Sequence, residues 1–279
     1  MGGFKIKKNI ACIIARTNST RLEKKVLRPI NGKLAIEFLI DRMKLSKKID
    51  KIVLCTSYHD NDKILLNVAE KNNIYGFAGD PSSVISRMLN VGKNEESPNL
   101  IRITGDNFLT DPTYLDIMID KHETSNSDYT RIEYLPIGIT SEIMSFDMLS
   151  DCYNNMDPKY SEYLMLYAFN PIKYNCTVLV PPKEHQLFNF FLTVDTPEDF
   201  KLTKNIINCF DNYRFNFDDV VKILKLKKSK SVSDNKQVKF PGNIELFYST
   251  YRNEIEYRVS KSNQIIVKQD EYLSYAKNK

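Results

Sequence analysis

The regular alternation of short apolar runs with amphipathic stretches over the first 125 residues constrains the fold more than any other feature of this chain. Asn9–Ala15 (NIACIIA) is almost wholly apolar, the pattern of a strand buried on both faces. Lys33–Ser46 carries Ala35, Ile36, Leu39, Ile40 and Met43 at helical spacing. Lys51–Ser57 (KIVLCTS) reads as a second buried strand and Asp60–Lys71 as a helix. Tyr75–Ala78, Pro81–Val91 and Asn99–Thr104 (NLIRIT) continue as strand, helix and strand, and Asp111-Pro112 opens a helix to about His122 with proline in its first turn. A strict β–α order of this kind predicts a parallel sheet covered by helices on both faces.

The alternation breaks after Asp128. Tyr129–Glu133 and Gly138–Ser145 read as strands, Asp147–Asn155 and Pro158–Ala168 as helices, Asn175–Val180 and Phe190–Asp195 as strands, and Pro197–Cys209 as a helix. Lys225–Lys239 is rich in lysine and serine with little apolar content, the composition of a linker. Asn243–Tyr272 alternates weakly, and Glu254–Lys268 suggests a hairpin turning at Ser260–Asn263. The expected organisation is a main α/β unit over 1–224, a basic linker over 225–240 and a small β-containing appendage over 241–279. A lone hairpin is marginally stable, so the appendage is expected to dock on the main unit or a second subunit. It is also expected to be dispensable for the chemistry, so that residues 1–224 fold by themselves.

Charge removes several classes. The 279 residues carry a net charge of +5, yet residues 225–279 hold twelve basic against six acidic residues, leaving 28 against 29 in the rest. A nucleic-acid face concentrates basic residues on the folded unit, so no nucleic-acid partner is expected. No run approaches ~18 uncharged apolar residues, and the N-terminus has no signal-peptide core, so no membrane association is expected. Met1-Gly2 is followed by Ile6 where an acylation motif needs Ser or Thr. The five cysteines form no CxxC pair, which fits free thiols in a reducing compartment and a cytoplasmic protein.

Ligands of an open parallel sheet bind beyond the carboxyl ends of its strands. The loop after the first strand, Arg16-Thr-Asn-Ser19-Thr-Arg21-Leu-Glu-Lys-Lys25, holds two guanidiniums, lysine and hydroxyls, a composition suited to gripping a polyanion. A solvated basic loop is the plainer reading. Neither GxGxxG nor GxxxxGK[ST] is present. After Asn99–Thr104 comes Gly105-Asp106-Asn107, where glycine allows a sharp turn and Asp106 can face the cleft as a hard metal ligand. Asp195 stands at a strand end before Thr-Pro-Glu-Asp199. For both aspartates the alternative is helix N-capping.

Taken together these blocks resemble the cytidylyltransferase family that includes CMP-Kdo and CMP-sialic acid synthetases and the SpsF-like polysaccharide proteins. The resemblance runs from about Ile10 to Cys209. It is carried by Ile13-Ile-Ala-Arg16-x-x-Ser19-Thr-Arg21-Leu-x-x-Lys25-Val-Leu, by Gly32-Lys33 and Ile52-Val-Leu-Cys-Thr56-Ser57, by Arg102-Ile-Thr-Gly-Asp106 with Asp111-Pro112, and by Thr193-Val-Asp195-Thr-Pro-Glu-Asp199. It implies a GT-A-like, Rossmann-like α/β/α sandwich with a mostly parallel sheet, and a Mg²⁺-dependent transfer from CTP to an anionic acceptor for surface polysaccharide synthesis. By position it implies that Arg16, Ser19, Arg21 and Lys25 grip the CTP phosphates, that Ala15 belongs to the same nucleotide site, and that Asp106 and Asp195 hold Mg²⁺. It further implies that Ala78, Asp80 and Ser83 line the base pocket, and that Arg102 supports the metal-ligand strand. Arg16, Arg21, Lys25 and Asp106 are then the groups that carry the chemistry, Glu142 and Glu162 are candidates for the acceptor, and a homodimer is expected.

The chain departs from the family pattern at three places. Asn18 replaces the first glycine of the loop, Glu23-Lys24 replace its Pro-Gly, and Tyr163 replaces a histidine after Glu162. Two other classes share parts of the pattern. A GT-A glycosyltransferase needs Asp-x-Asp where this chain has Gly105-Asp106-Asn107, and a non-catalytic sugar-nucleotide-binding protein is expected to have lost part of the basic loop or an aspartate.

Overall fold

The computed structural model of the protein describes residues 8–19, 21–156, 165–227, 237–240 and 244–277. Their strands are β1 (Asn9–Ile14), β2 (Pro29–Ile30), β3 (Lys33–Leu34), β4 (Lys51–Ser57), β5 (Tyr75–Gly79), β6 (Asn99–Thr104), β7 (Tyr129–Ile132), β8 (Glu142–Ser145), β9 (Cys176–Val180), β10 (Gln237–Phe240), β11 (Ile244–Phe247) and β12 (Asn263–Ile266). The helices are α1 (Ala35–Met43), α2 (Lys63–Lys71), α3 (Val84–Asn94), α4 (Pro112–Thr124), α5 (Phe146–Asn155), the short α6 (Met165–Ala168), α7 (Pro197–Ile207), α8 (Phe217–Lys227), α9 (Tyr248–Lys261) and α10 (Gln269–Ala276).

Eight strands form one sheet in the order β12-β9-β7-β8-β6-β1-β4-β5. Every pairing is parallel except the two that β8 makes with β6 and β7, so β8 alone runs against the rest. This is the expected α/β sandwich with a mostly parallel sheet. Period-two alternation divides β1 between two cores: Ala11 and Ile13 face one side, Ile10 and Cys12 the other, all fully buried. The first side is covered by α1, α4, α8 and α10, the second by α3, α5 and α9. Full burial of Ile10 or Ile13 contributes about 1.5–3 kcal/mol.

The C-terminal residues fold differently from the expected hairpin. Tyr248–Lys261 is a helix, and its buried residues Ile255 and Val259 lie four apart, a helical rather than a strand period. The segment after it, β12, joins the main sheet by parallel pairing with β9, Asn263 opposite Thr177 and Ile266 opposite Val180. Tyr272 of α10 is fully buried, 4.6 Å from the ring of Tyr114, and its hydroxyl accepts the Phe217 main-chain N–H at 2.8 Å. Residue 224, the expected end of the main unit, lies inside α8. Phe190–Asp195 is not a strand either. It forms one isolated bridge, Phe191 with Ile137, because the segment crosses over Gly138.

The order of the sheet fixes the place of the site. The chain runs from β1 outward to β4 and β5 on one side, then returns to β6 on the other, so β1 and β6 flank the reversal point. Loops leaving these two strands diverge and open a crevice at their carboxyl ends.

Candidate active site

A cleft of about 800 Å³ opens at this crevice, lined by Ile14, Ala15, Arg16, Asn18, Ser19 and Arg21 on the β1 side and by Thr104 to Asn107 on the β6 side. The first loop is tied down at its root. Asp62 accepts the Thr17 N–H and hydroxyl, each at 2.7 Å, and the Ser57 hydroxyl. Burial would raise the Asp62 carboxyl, but the bonds from Ser57 and Thr17 and the charge of Arg16 outweigh it and hold the group below its ordinary range. Arg16 leaves the loop sideways and donates to the Pro81 carbonyl at 3.1 Å. Lys24, where the family loop carries glycine, adopts the left-handed conformation with φ 50° and ψ 36°.

Gly105 brings the second loop against the first. Its N–H donates to the Ile14 carbonyl at 2.8 Å, and a Cβ there would stand 2.8 Å from that same oxygen and from the Ala15 Cβ. Close approach, rather than the sharp turn expected from sequence, is what demands glycine. Asp106 follows directly. The third segment arrives over Gly138, whose φ of +106° and lack of a side chain let the Thr193 N–H reach the Ile137 carbonyl at 3.0 Å. The Val194 N–H then donates to the Asp106 carbonyl at 3.1 Å, setting Asp195 beside Asp106.

Neither aspartate caps a helix. Asp111 caps α4 by accepting the Tyr114 N–H at 2.8 Å, and Thr196 caps α7 in a reciprocal box with Asp199. The two carboxylates are therefore left to the cleft, where Lys25 joins them. Its Nζ lies 2.7 Å from Asp106 Oδ2, 3.0 Å from Asp195 Oδ1 and 2.8 Å from the Val194 carbonyl. Burial would lower the Lys25 pKa, yet the two carboxylates together raise it above its usual value. Arg21, more exposed, reaches the same Asp195 oxygen at 3.0 Å. The donor set suits a hard divalent cation. Two carboxylates already hold a positive charge between them, and the adjoining Asn107 Oδ1 is buried with no hydrogen-bond partner among the described residues. No group of three or more His, Cys, Asp or Glu side chains gathers to hold a metal among those residues, so further ligands have to come from substrate and water.

The other residues that the sequence nominates fall into two groups. Ala15, Ser19 and Arg102 line the cleft with the first loop. Ala78, Asp80 and Ser83 do not: Asp80 accepts the Ser82 N–H at 2.8 Å, and buried Ser83 caps α3 by accepting the Ser86 N–H. Glu142 is at the cleft wall, paired to Arg102 at 2.6 Å and to the Tyr129 hydroxyl at 2.5 Å. Burial opposes its ionisation, but Arg102 and Arg131 overcome this and keep the carboxyl below its ordinary value. Glu162 and Tyr163 lie outside the described residues.

Sequence reasoning misses the far wall of the cleft. Arg131 and Glu133 at the end of β7 and Arg252 of α9 line it. Glu133 is shared by Arg131 at 2.5 Å and Arg252 at 2.9 Å. Alternating charges along Tyr129–Glu133 offer the only signal for the first pair, and nothing marks Arg252. Counting the whole lining, seven basic side chains face four carboxylates. A cleft of that balance attracts anions.

Comparison with known proteins gives the geometry its family. The profile described as Cytidylyltransferase matches residues 10–239. The Bacillus subtilis spore coat polysaccharide biosynthesis protein SpsF is 35% identical over 199 residues, 69% of this chain and 83% of that protein. An uncharacterized protein of Methanocaldococcus jannaschii is 30% identical over 241 residues, 85% of this chain and 99% of its own length. The solved structure of a cytidylyltransferase from Leptospira borgpetersenii superposes with a TM-score of 0.74 at 25% identity, covering 81% of this chain and 99% of that one. With a family profile covering seven of the sheet's eight strands, the basic loop and both aspartates, the chain belongs to the cytidylyltransferase family and is a CTP-dependent nucleotidyltransferase.

Proposed function

We propose that this enzyme transfers the cytidylyl group of CTP to an anionic acceptor with Mg²⁺ as cofactor, releasing pyrophosphate, as a step in surface polysaccharide synthesis. The observation that carries this reading is the Lys25 ammonium seated between Asp106 and Asp195 beneath a loop bearing two guanidiniums. The polysaccharide context rests on the likeness to SpsF.

In this mechanism an acceptor oxygen attacks the α-phosphorus while the bond from that phosphorus to the bridging oxygen breaks and pyrophosphate leaves. Arg16, Ser19 and Arg21 grip the outer phosphates, bidentate guanidiniums fixing the triphosphate in line with the attack. Lys25 leaves the carboxylates for the phosphates and neutralises charge on the leaving group. Asp106 and Asp195 hold Mg²⁺, which when bound supplies Lewis-acid polarisation of the phosphate oxygens. An acceptor that is already anionic needs no general base, in keeping with the absence of histidine from the described cleft lining.

A pyrophosphate-release screen tests the proposal. CTP, UTP, GTP and ATP are each incubated with Mg²⁺ and panels of sugar acids, sugar phosphates and polyol phosphates. The expected result is release with CTP and an anionic acceptor, abolished by chelation. Turnover with neutral acceptors alone, or undiminished turnover in a chelator, rejects it.

A further inference from the structure

The charged wall opposite the basic loop is built from β7 and α9, elements other than those that bear Arg16–Lys25 and Asp106. In sheet order β7 stands two strands from β6, about 10 Å away at 4.8 Å per strand. Both strands point the same way, so Arg131 and Glu133 reach the same edge as Asp106. Arg252 arrives from α9, beyond the matched residues 10–239. Its guanidinium is flanked by the rings of Phe188 at 5.7 Å and Tyr134 at 5.8 Å, which orient its plane. One edge is fixed to buried Glu133 at 2.9 Å; the other meets Glu256 at 2.6 Å, and that carboxylate is nearly half exposed. Glu256 also accepts the Tyr134 hydroxyl at 2.8 Å and keeps that bond if the guanidinium changes partner.

The inner contact is therefore permanent and the outer one exchangeable, since an exposed ion pair contributes little. We propose that Arg252, oriented with Arg131 on Glu133, is an acceptor-specificity residue that takes an oxyanion at the end of the acceptor remote from its attacking oxygen. The oxyanion replaces Glu256 on the outer edge of the guanidinium. The shared chemistry is that of a carboxylate or a phosphate carried about one sugar's length from the reacting centre. This rests on the nucleotidyl-transfer reading and adds to it a second anionic group on the acceptor, read by a residue outside the family profile.

The test uses the full chain saturated with α,β-methylene-CTP and Mg²⁺, titrated calorimetrically with inorganic phosphate in one arm and acetate in the other. One saturable oxyanion site is expected, and the arm that binds more tightly assigns phosphate or carboxylate. Arg252→Gln weakens that site at least tenfold, Arg252→Lys restores part of the loss, and Glu256→Gln tightens it severalfold by removing the competing carboxylate. Affinity for the CTP analogue changes less than twofold in all three. A guanidinium that merely clamps α9 gives the opposite sign for Glu256→Gln. The proposal is overturned by the absence of a saturable site for both ions, by unchanged affinity in Arg252→Gln, or by loosening in Glu256→Gln. The analogue's own titration separates the two readings. If it does not bind, nucleotidyl transfer fails, and the Arg252 Nε–Hε resonance of nucleotide-free protein still reports whether the oxyanion site exists.

Discussion

The main-chain N–H of Val194 donates to the carbonyl of Asp106 at 3.1 Å. That bond sets the relative position of two carboxylates delivered by segments far apart in sequence, and Lys25 closes the arrangement from a third. Replacing Asp106 or Asp195 by Asn keeps the shape and one acceptor oxygen but removes the charge. Each variant is expected to lower pyrophosphate release at least ~10²-fold, the scale of about 2.7 kcal/mol of transition-state stabilisation. Near-normal turnover in a folded variant would remove that residue from the metal site.

Arg21 pairs with Asp195 from an exposed position, where it can swing to the outer phosphates. Arg21→Ala is expected to weaken CTP by roughly 10- to 100-fold, about 1.5–3 kcal/mol for a charge-assisted bond, and to change CMP affinity little. Calorimetry with both nucleotides checks this, and equal losses would place Arg21 on the nucleoside instead.

Lys24 holds a left-handed backbone conformation that costs a side-chain-bearing residue roughly 1 kcal/mol. Lys24→Gly should therefore stabilise the protein, raising Tm by about 2–4 °C. Gly105→Ala acts in the other direction. Its new Cβ meets a carbonyl oxygen and the Ala15 Cβ at 2.8 Å, and a loss of about 1–3 kcal/mol is expected by denaturant unfolding.

His185 is fully buried, with Nδ1 2.5 Å from the Tyr114 hydroxyl and Nε2 3.3 Å from Asp218. Burial depresses its pKa more than Asp218 and Asp111 raise it. A depressed folded value means that the unfolded chain takes up the proton first. Stability should then fall as pH drops through the ordinary histidine value of about 6.5. Thermal melts between pH 5 and 8 should show a flatter slope in His185→Gln than in the parent.

Much of this is legible from residues alone, for identifiable reasons. NIACIIA and KIVLCTS announce β1 and β4 because a strand buried on both faces keeps its polar residues at its ends, where they do not blur the apolar run. Asp106 is visible because it directly follows a buried strand, and Asp195 because it directly precedes the Thr-Pro-Glu-Asp199 start of a helix. The C-terminal region misleads because α9 buries little beyond Ile255 and Val259, and β12 is an edge strand whose side chains are largely exposed. Arg252 is invisible in sequence because its meaning lies in Glu133, a partner 119 residues away.

A chain cut at residue 224 would lose Tyr272 from its packing against Tyr114 and His185 and leave β9 as a bare edge. It is expected to melt well below the full-length protein, without a sharp transition, by calorimetry. An unchanged Tm would restore the picture of a dispensable appendage.

The parallel addition of β12 to β9 also orders events in the cell. Residues 263–266 leave the ribosome after every other strand of the sheet, so the nascent chain emerges with β9 exposed along one side. Until residues 263–266 arrive, that side is open to pairing with a neighbouring chain. Synthesis thus completes the half of the sheet built around β1 and β6 before the edge at β9 is covered.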